Sequence, residues 1–136
     1  MTATALTALA DEPFVSLTTF RASGEPVATP VWIGRDQLGS GDLLVLTPRG
    51  SGKVKRLRAN ATVELRPCDR RGRVPVDAPT VSATTEILED PAEVDAVRDI
   101  MRRKYGAEYR IFMLVEAIVR RTRHVERVVL RLRPSS

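Results

Sequence analysis

Apolar and polar side chains alternate along several short segments of the chain, and this period of two is typical of half-buried β-strands. Turn residues such as those of ASGEP (residues 22–26) separate consecutive segments. The short apolar run LLVLT (43–47) is typical of a fully buried strand. Six strands are therefore predicted, at residues 14–21, 27–34, 43–47, 61–68, 79–88 and 124–134.

Other segments follow the rules for helices. The opening residues TATALTALAD predict a short helix that ends before Pro13. A second helix is predicted from Gly52 to Ala59, with Ser51 as its N-cap. A third begins at Pro91 after the cap Asp90 and ends at Gly106, and residues 108–122 are predicted to be helical or mixed.

The order of these elements predicts the fold class. A chain of 136 residues is expected to form a single domain, residues 1–136. Short strands with a few inserted helices predict a mainly β protein, a six-stranded antiparallel barrel. Pro30 interrupts the second predicted strand, and a proline there indicates an edge, a bulge or a ligand-facing position.

The composition indicates the kind of core and the cellular compartment. Aromatic residues make up only 4% of the chain, so the core must consist of aliphatic side chains. Cys68 is the single cysteine, which excludes an internal disulfide and fits a reducing compartment. The first twenty residues lack the features of a signal peptide, and the chain has no apolar run of about 18 residues. These observations predict a cytoplasmic, soluble protein with no membrane partner.

Charge is divided into blocks. Residues 49–73 contain nine basic and two acidic side chains, whereas residues 74–97 contain six acidic and no basic ones. Residues 98–136 are again basic, with eleven basic and four acidic side chains. Such clustering suggests an anionic partner, although a basic run is also compatible with a solvated face.

The segment TPRGSGKVKRLRAN (47–60) contains a Gly-Ser-Gly-Lys that resembles a phosphate-binding loop. It is not a Walker A motif, because Lys53 is followed by Val54 instead of serine or threonine. A weaker prediction rests on physics, since the amides and dipole of a helix N-terminus favour an anion. Ser51, Lys53 and Arg56 lie on that first part of the helix. An anion site and a solvated helix start both remain open.

Metal and hydrolase chemistry have little support. His124 is the only histidine and Cys68 the only cysteine, so the sequence has no recognisable zinc-ligand set. His124 is also the sole possible imidazole base, and no nucleophile elbow precedes a helix. We therefore predict no metal and no catalytic side chain, and any redox chemistry would belong to a bound cofactor.

Two segments carry a resemblance to a known family: Thr-Pro-Val-Trp (29–32) and Gly-Lys-Val-Lys-Arg-Leu (52–57). Together with the order of elements over residues 5–133, they resemble the FMN-binding split barrels of the pyridoxamine 5'-phosphate oxidase-like (PPOX) class. The chain is most similar to the F420-dependent oxidoreductases of actinobacteria. One departure is Asn60-Ala61, where the family usually has proline after Asn or Asp.

The resemblance implies a homodimer with two cofactor sites in the grooves between subunits. It implies that the deazaflavin coenzyme F420, or alternatively FMN, transfers a hydride to or from a small molecule that the sequence does not identify. It places the strand with Pro30, Val31 and Trp32 along the cofactor ring. The implied phosphate contacts are Thr47, Ser51, Gly52 and Lys53, the implied tail contacts are Lys55 and Arg56, and Arg66 and Cys68 would line the groove wall.

A different class of function also fits the charge. A basic barrel with a pI near 10.1 could bind nucleic acid without catalysis. Only six aromatic residues are present, however, and base stacking needs exposed aromatic rings. Nucleic acid is therefore the less favoured partner.

Overall fold

The computed structural model describes residues 3–119 and 126–135. The predicted mainly β fold is confirmed, with one difference in the strand count. The predicted strand 27–34 is divided in two, so that the sheet has seven strands. They are β1 (Val15–Phe20), β2 (Pro26–Val31), β3 (Gly34–Arg35), β4 (Leu43–Pro48), β5 (Thr62–Pro67), β6 (Val81–Leu88) and β7 (Arg127–Pro134).

All strands belong to one antiparallel sheet in the order β2-β1-β5-β6-β7-β4-β3, which curls into a half-barrel. β2 is an edge strand, which agrees with one of the three alternatives predicted for Pro30, an edge, a bulge or a ligand-facing position. Of the predicted last strand, residues 127–134 are confirmed, while residues 124 and 125 lie outside the described residues. The solitary histidine, His124, is one of these two.

The helices begin where the sequence predicts. A short helix α1 (Ala3–Thr7) continues into a 3-10 turn (Ala8–Asp11). Helix α2 (Gly52–Ala59) has the predicted bounds, and the Ser51 hydroxyl accepts a hydrogen bond from the backbone N–H of Val54 at 3.4 Å. Helix α2 crosses from β4 to β5, so its first turn lies beside the end of β4.

Helix α3 (Pro91–Val119) contains a break at Gly106, whose φ of 51° and ψ of −120° are not helical. The predicted helix end at Gly106 is therefore correct as an interruption, and the chain then resumes a helix. Of the segment 108–122, predicted to be helical or mixed, the residues up to Val119 are helical, and residues 120–122 lie outside the described part. We call residues 107–119 the second segment of α3.

Hydrophobic side chains are buried on both faces of the central strands. Leu43 and Val45 of β4 belong to the interior cluster, which also contains Val54 and Leu57 of α2. The intervening Leu44 belongs to a second cluster. This outer cluster lies between the sheet and α3, and it explains why β4 is a continuous apolar run: both of its faces are covered.

No helix in the described ranges, 3–119 and 126–135, is long and apolar enough to span a membrane.

Candidate functional site

A cavity of about 580 Å³ lies between the half-barrel and α3. Its walls come from the end of β2, the end of β4, the start of α2, the second segment of α3 and the first residue of β7. Residues that are far apart in the sequence therefore meet here. Five of the predicted site residues line the cavity: Pro30, Val31, Trp32, Thr47 and Lys53.

One wall of the cavity is aromatic. The indole of Trp32 stacks on Tyr105, with ring centroids 4.4 Å apart and an interplanar angle of 14°. Phe112 and Tyr109 lie at 5.3 Å and 6.2 Å from Trp32 in tilted arrangements. Pro30 and Val31 extend this apolar surface along the end of β2. Such a wall can accept one face of a planar ring system.

Near the start of α2 the cavity wall is polar instead of aromatic, because Thr47 and Lys53 line it there. Burial, and secondarily the neighbouring Arg56 guanidinium, lowers the pKa of the Lys53 ammonium. Within the described residues Lys53 has no carboxylate partner. A half-buried cation without a counter-ion is stabilised by an anionic ligand, which would raise its pKa again.

Ser51 and Gly52 lie directly beside this end of the cavity but are not part of its lining. The hydroxyls of Ser51 and Thr47 are 3.5 Å apart, and either could donate a hydrogen bond to the other. Gly52 lies under Arg56, because a Cβ at this position would come within 2.8 Å of the Arg56 Nη1 atom. A side chain at this position would displace the end of the flexible Arg56 side chain.

Lys55 and Arg56 do not reach the cavity. Lys55 is exposed. The Nε–H of Arg56 donates to the Thr19 hydroxyl at 2.7 Å and so ties α2 to β1. The two groove-wall residues also lie outside it: the Nε–H of Arg66 donates to Thr80 at 2.7 Å, and Cys68 is half-buried with a pKa raised chiefly by burial.

Part of the basic segment 49–73 is paired with carboxylates of the same molecule. Arg49 and Arg58 both pair with Glu89, which belongs to the acidic segment 74–97. Arg73 pairs with Asp69 at 2.8 Å. Among the described residues, Glu89 is thus the one carboxylate of the acidic segment that pairs with the basic segment, and such pairing accounts for part of the charge pattern. This weakens the charge argument for nucleic acid and for a long anionic tail alike.

Sequence reasoning missed two ion pairs that line the cavity. Both connect the second segment of α3 to the barrel: Arg70 pairs with Glu108, and Arg127 pairs with Glu116. The alternation of the last strand indicated that Arg127 belongs to a strand, but no local signal indicates which carboxylate it contacts. The aromatic contribution of Tyr109 and Phe112 was missed for the same reason.

A second cavity, of about 740 Å³, is lined by Arg35, Arg103 and Lys104. Two of these cations are already engaged. The Lys104 ammonium donates to the backbone carbonyls of Ala10, Glu12 and Ile33 at 2.7–2.8 Å, and Arg35 pairs with Asp11 at 3.4 Å. The cavity beside Trp32 and Lys53 is therefore the better ligand site, although it is the smaller one.

Among the described residues, no group of three or more His, Cys, Asp or Glu side chains is arranged to hold a metal ion.

Comparison with known proteins identifies the family. The family model for pyridoxamine 5'-phosphate oxidase matches residues 1–136. Because the match covers the whole chain, the protein belongs to the pyridoxamine 5'-phosphate oxidase family. No match is found among curated proteins.

Solved structures share the fold. A conserved hypothetical protein from Mycobacterium tuberculosis has a TM-score of 0.64 and 21% identity, over 96% of this chain and 79% of that one. An F420 reductase has a TM-score of 0.61 and 20% identity, over 95% and 92%. The heme storage protein HutZ from Vibrio cholerae has a TM-score of 0.63 and 18% identity, over 98% and 87%. Proteins with different ligands thus share this split barrel, and the likeness shows the fold alone.

Proposed function

We propose that this protein is an oxidoreductase that binds F420 in the cavity beside Trp32 and transfers a hydride to or from a small molecule. The observation that carries the proposal is the pairing of an aromatic wall with an unpaired, half-buried Lys53 in one cavity. A planar ring with an anionic side chain has the shape and charge that such a cavity accepts. Membership of an oxidase family and the likeness to an F420 reductase support the reaction class.

Each set of residues has a role in this proposal. Trp32, Val31 and Pro30 contact the ring and exclude water from one of its faces. Lys53 and the Thr47 hydroxyl contact the phosphate, and Ser51 and Gly52 orient the start of α2. The bound coenzyme would supply the hydride, so that positioning, not a general acid or base, is what the chain must provide. Lys55 is proposed only for the anionic tail, because it is exposed.

FMN is the second candidate. Its single phosphate could pair with the same Lys53 ammonium. Because several arginines of segment 49–73 already pair with carboxylates, the segment attracts the more anionic F420 less strongly than its sequence suggests. The two candidates differ in the tail, and the exposed Lys55 would matter only to the deazaflavin.

Titration of the purified protein with F420 and with FMN tests the proposal, because Trp32 is the only tryptophan and reports on the cavity. We expect saturable quenching at micromolar concentrations, and Lys53→Ala should weaken binding by about 1–3 kcal/mol. Arg103→Ala, which removes the same charge from the second cavity, is the matched control. Lys55→Ala should weaken only F420. Failure of both cofactors to bind would end the proposal.

We further propose that the protein is a homodimer and that the partner covers the second segment of α3. Four of its large apolar side chains are more than half exposed: Ile111, Leu114, Val115 and Ile118. Ile111 and Val115 also line the cavity, so the exposed face is continuous with the site. A second copy on this face would bury the apolar surface and close the cavity.

Sedimentation equilibrium tests the dimer. We expect a two-chain mass for the native protein and dissociation of the variant Leu114→Glu/Ile118→Glu. A monomeric native protein at micromolar concentration would contradict the proposal. Ala92→Glu/Ala96→Glu, which adds the same two charges at exposed positions of α3 before Gly106, is the control for charge alone.

A further inference from the structure

The ion pair between Arg127 and Glu116 is the most buried one that lines the cavity. The Nη2 group of Arg127 donates to both carboxylate oxygens of Glu116. The two side chains are only 8% and 18% exposed. By contrast, the Arg70–Glu108 pair at the same cavity is 75% and 39% exposed. Pairs of the second kind contribute little energy, whereas a buried arginine strongly requires an anionic partner.

The strand pairing places Arg127 beside the end of β4, which also lines the cavity. Arg127 is the first residue of β7 and lies opposite Pro48, the last residue of β4. Thr47 precedes Pro48 in β4, and the Thr47 hydroxyl is 3.5 Å from that of Ser51, the N-cap of α2. Lys53 follows in the first turn of that helix. Arg127 and Lys53 are thus two cations that adjoining elements deliver to one cavity.

The chemistry of Arg127 suits a phosphate better than a lysine would. A guanidinium presents several N–H groups in one plane, and phosphate oxygens accept them in the same way as a carboxylate does. Its present partner, Glu116, belongs to the second segment of α3, which joins the first segment through the non-helical Gly106. A phosphate oxygen of a ligand would bind Arg127 by displacing the Glu116 carboxylate, so the two compete for the same guanidinium.

We propose that Arg127 is a second cation of the anion-binding end of this cavity, and that Glu116 competes with the ligand phosphate for it. This inference rests on the proposed cofactor site and deepens it. The ligand class is a phosphate ester, whether the monoester of FMN or the diester of F420. Glu116 lowers the affinity for every ligand of this class, and it leaves a ligand without phosphate unaffected.

The test compares two ligands that share a ring. Riboflavin has the ring of FMN but no phosphate, so the ratio of their dissociation constants isolates the phosphate. We expect Glu116→Gln, which keeps the shape and removes the charge, to raise this preference for FMN about five- to tenfold. We expect Arg127→Gln to lower the preference about tenfold or more. The same comparison applies to F420 and the deazaflavin without its phosphodiester.

The double variant separates competition from simple structural support. If Glu116 acts through Arg127, Glu116→Gln gives no gain in the Arg127→Gln background. The double variant also leaves no charge buried alone, so its folding, followed by thermal unfolding, shows whether loss of binding in Arg127→Gln reflects misfolding. An unchanged FMN preference in Glu116→Gln overturns the proposal. An equal loss of FMN and riboflavin binding in a folded Arg127→Gln also overturns it.

Pyrophosphate, which has no ring, tests the anion subsite independently of the proposed cofactor. If no variant binds any flavin or deazaflavin, pyrophosphate is titrated into the same proteins and followed by ³¹P NMR. Tighter pyrophosphate binding by Glu116→Gln and its loss in Arg127→Gln would support the anion subsite while the cofactor proposal fails. Pyrophosphate affinities that are the same in the native protein and both variants would overturn the subsite as well.

Discussion

The hydroxyl of Tyr105 takes the place of a strand partner for Ile33. The backbone N–H of Ile33 donates to the Tyr105 Oη atom at 2.9 Å, and this hydroxyl donates in turn to the Pro13 carbonyl at 2.8 Å. The same tyrosine ring stacks on Trp32. One side chain of α3 thus satisfies the backbone where β2 gives way to β3 and supports the aromatic wall of the cavity.

We expect Tyr105→Phe to lower the free energy of unfolding by about 1–3 kcal/mol, because it leaves the buried N–H of Ile33 without an acceptor. Urea unfolding followed by Trp32 fluorescence measures the change. Tyr109→Phe is the matched control, since Tyr109 is equally buried and its hydroxyl has no hydrogen bond within the described residues. Equal stability of the two variants would remove this role from Tyr105.

Lys53 is expected to reduce the stability of the fold. Burial lowers its pKa from 10.5, so its charged form is disfavoured in the folded state. Lys53→Met should therefore raise the free energy of unfolding near neutral pH. This gain should shrink as the pH rises through the lowered pKa, and it should vanish above 10.5, where the lysine is neutral in both states.

Urea unfolding at pH 7 and pH 10 in a buffer without phosphate checks this expectation, because a bound anion would stabilise the native protein. Lys55→Met is the control on the exposed side of the same helix. A Lys53→Met protein that is less stable than the native one at pH 7 would show that the ammonium has a stabilising contact.

Gly106 is expected to resist substitution for conformational reasons alone. A Cβ at this position would meet no atom within 4 Å, but its φ of 51° with ψ of −120° is open to glycine and strained for alanine. Gly106→Ala should lower the free energy of unfolding by about 1–3 kcal/mol. Gly50→Ala is the matched control, because Gly50 has equal space and no positive φ.

Chemical denaturation of both glycine variants measures their free energies of unfolding. We also expect Gly106→Ala to shift the Trp32 emission, because the second segment of α3 carries two of the rings around it, Tyr109 and Phe112. Equal effects of the two substitutions would show that the break in α3 is not held by the glycine.

Asp36 should stabilise the fold near neutral pH, and this contribution should be lost in acid. Its carboxylate accepts hydrogen bonds from the Ser40 hydroxyl and the Leu38 backbone, and it pairs with Arg131 at 3.4 Å. The Ser40 bond is the main cause of a pKa below 3.8, partly opposed by burial. The stabilisation is thus present above pH 3.8 and is lost as the pH falls through the lower, folded-state pKa.

We expect Asp36→Asn to cost about 1–3 kcal/mol at pH 7. The difference from the native protein should shrink as the pH falls below 3.8 and through the lowered pKa of Asp36 in the folded state. Asp77→Asn is the control, because Asp77 is exposed and has no ion pair within the described residues. A pH-independent difference would mean that the charge of Asp36 is not what stabilises the loop.

Local patterns were sufficient for most elements of the fold. The bounds of α2 follow from the Ser51 cap and the apolar pair Val54 and Leu57. The break at Gly106 follows from the conformational freedom of glycine. These features depend on backbone geometry within a few residues, and this is information that the sequence contains directly.

The composition of the site was predicted only in part. Pro30, Val31, Trp32, Thr47 and Lys53 do meet in one cavity, as the family resemblance implied. Whether they bind a cofactor stays a prediction, as it does for Ser51, Gly52, Lys55 and Arg56. The last of these is engaged with Thr19, 37 residues away, and no pattern around Arg56 indicates that contact.

The sequence by itself determined which segments become strands and helices, where α2 begins and where α3 is interrupted, because each depends on near neighbours. The tertiary structure alone decided that Trp32 stacks on Tyr105 and that Arg127 pairs with Glu116. It also decided that the strand predicted at 27–34 divides between Val31 and Gly34. These contacts form when α3 packs on the outer face of the sheet. Which side chains then meet depends on the angle and register of that packing, and these are properties of the whole chain.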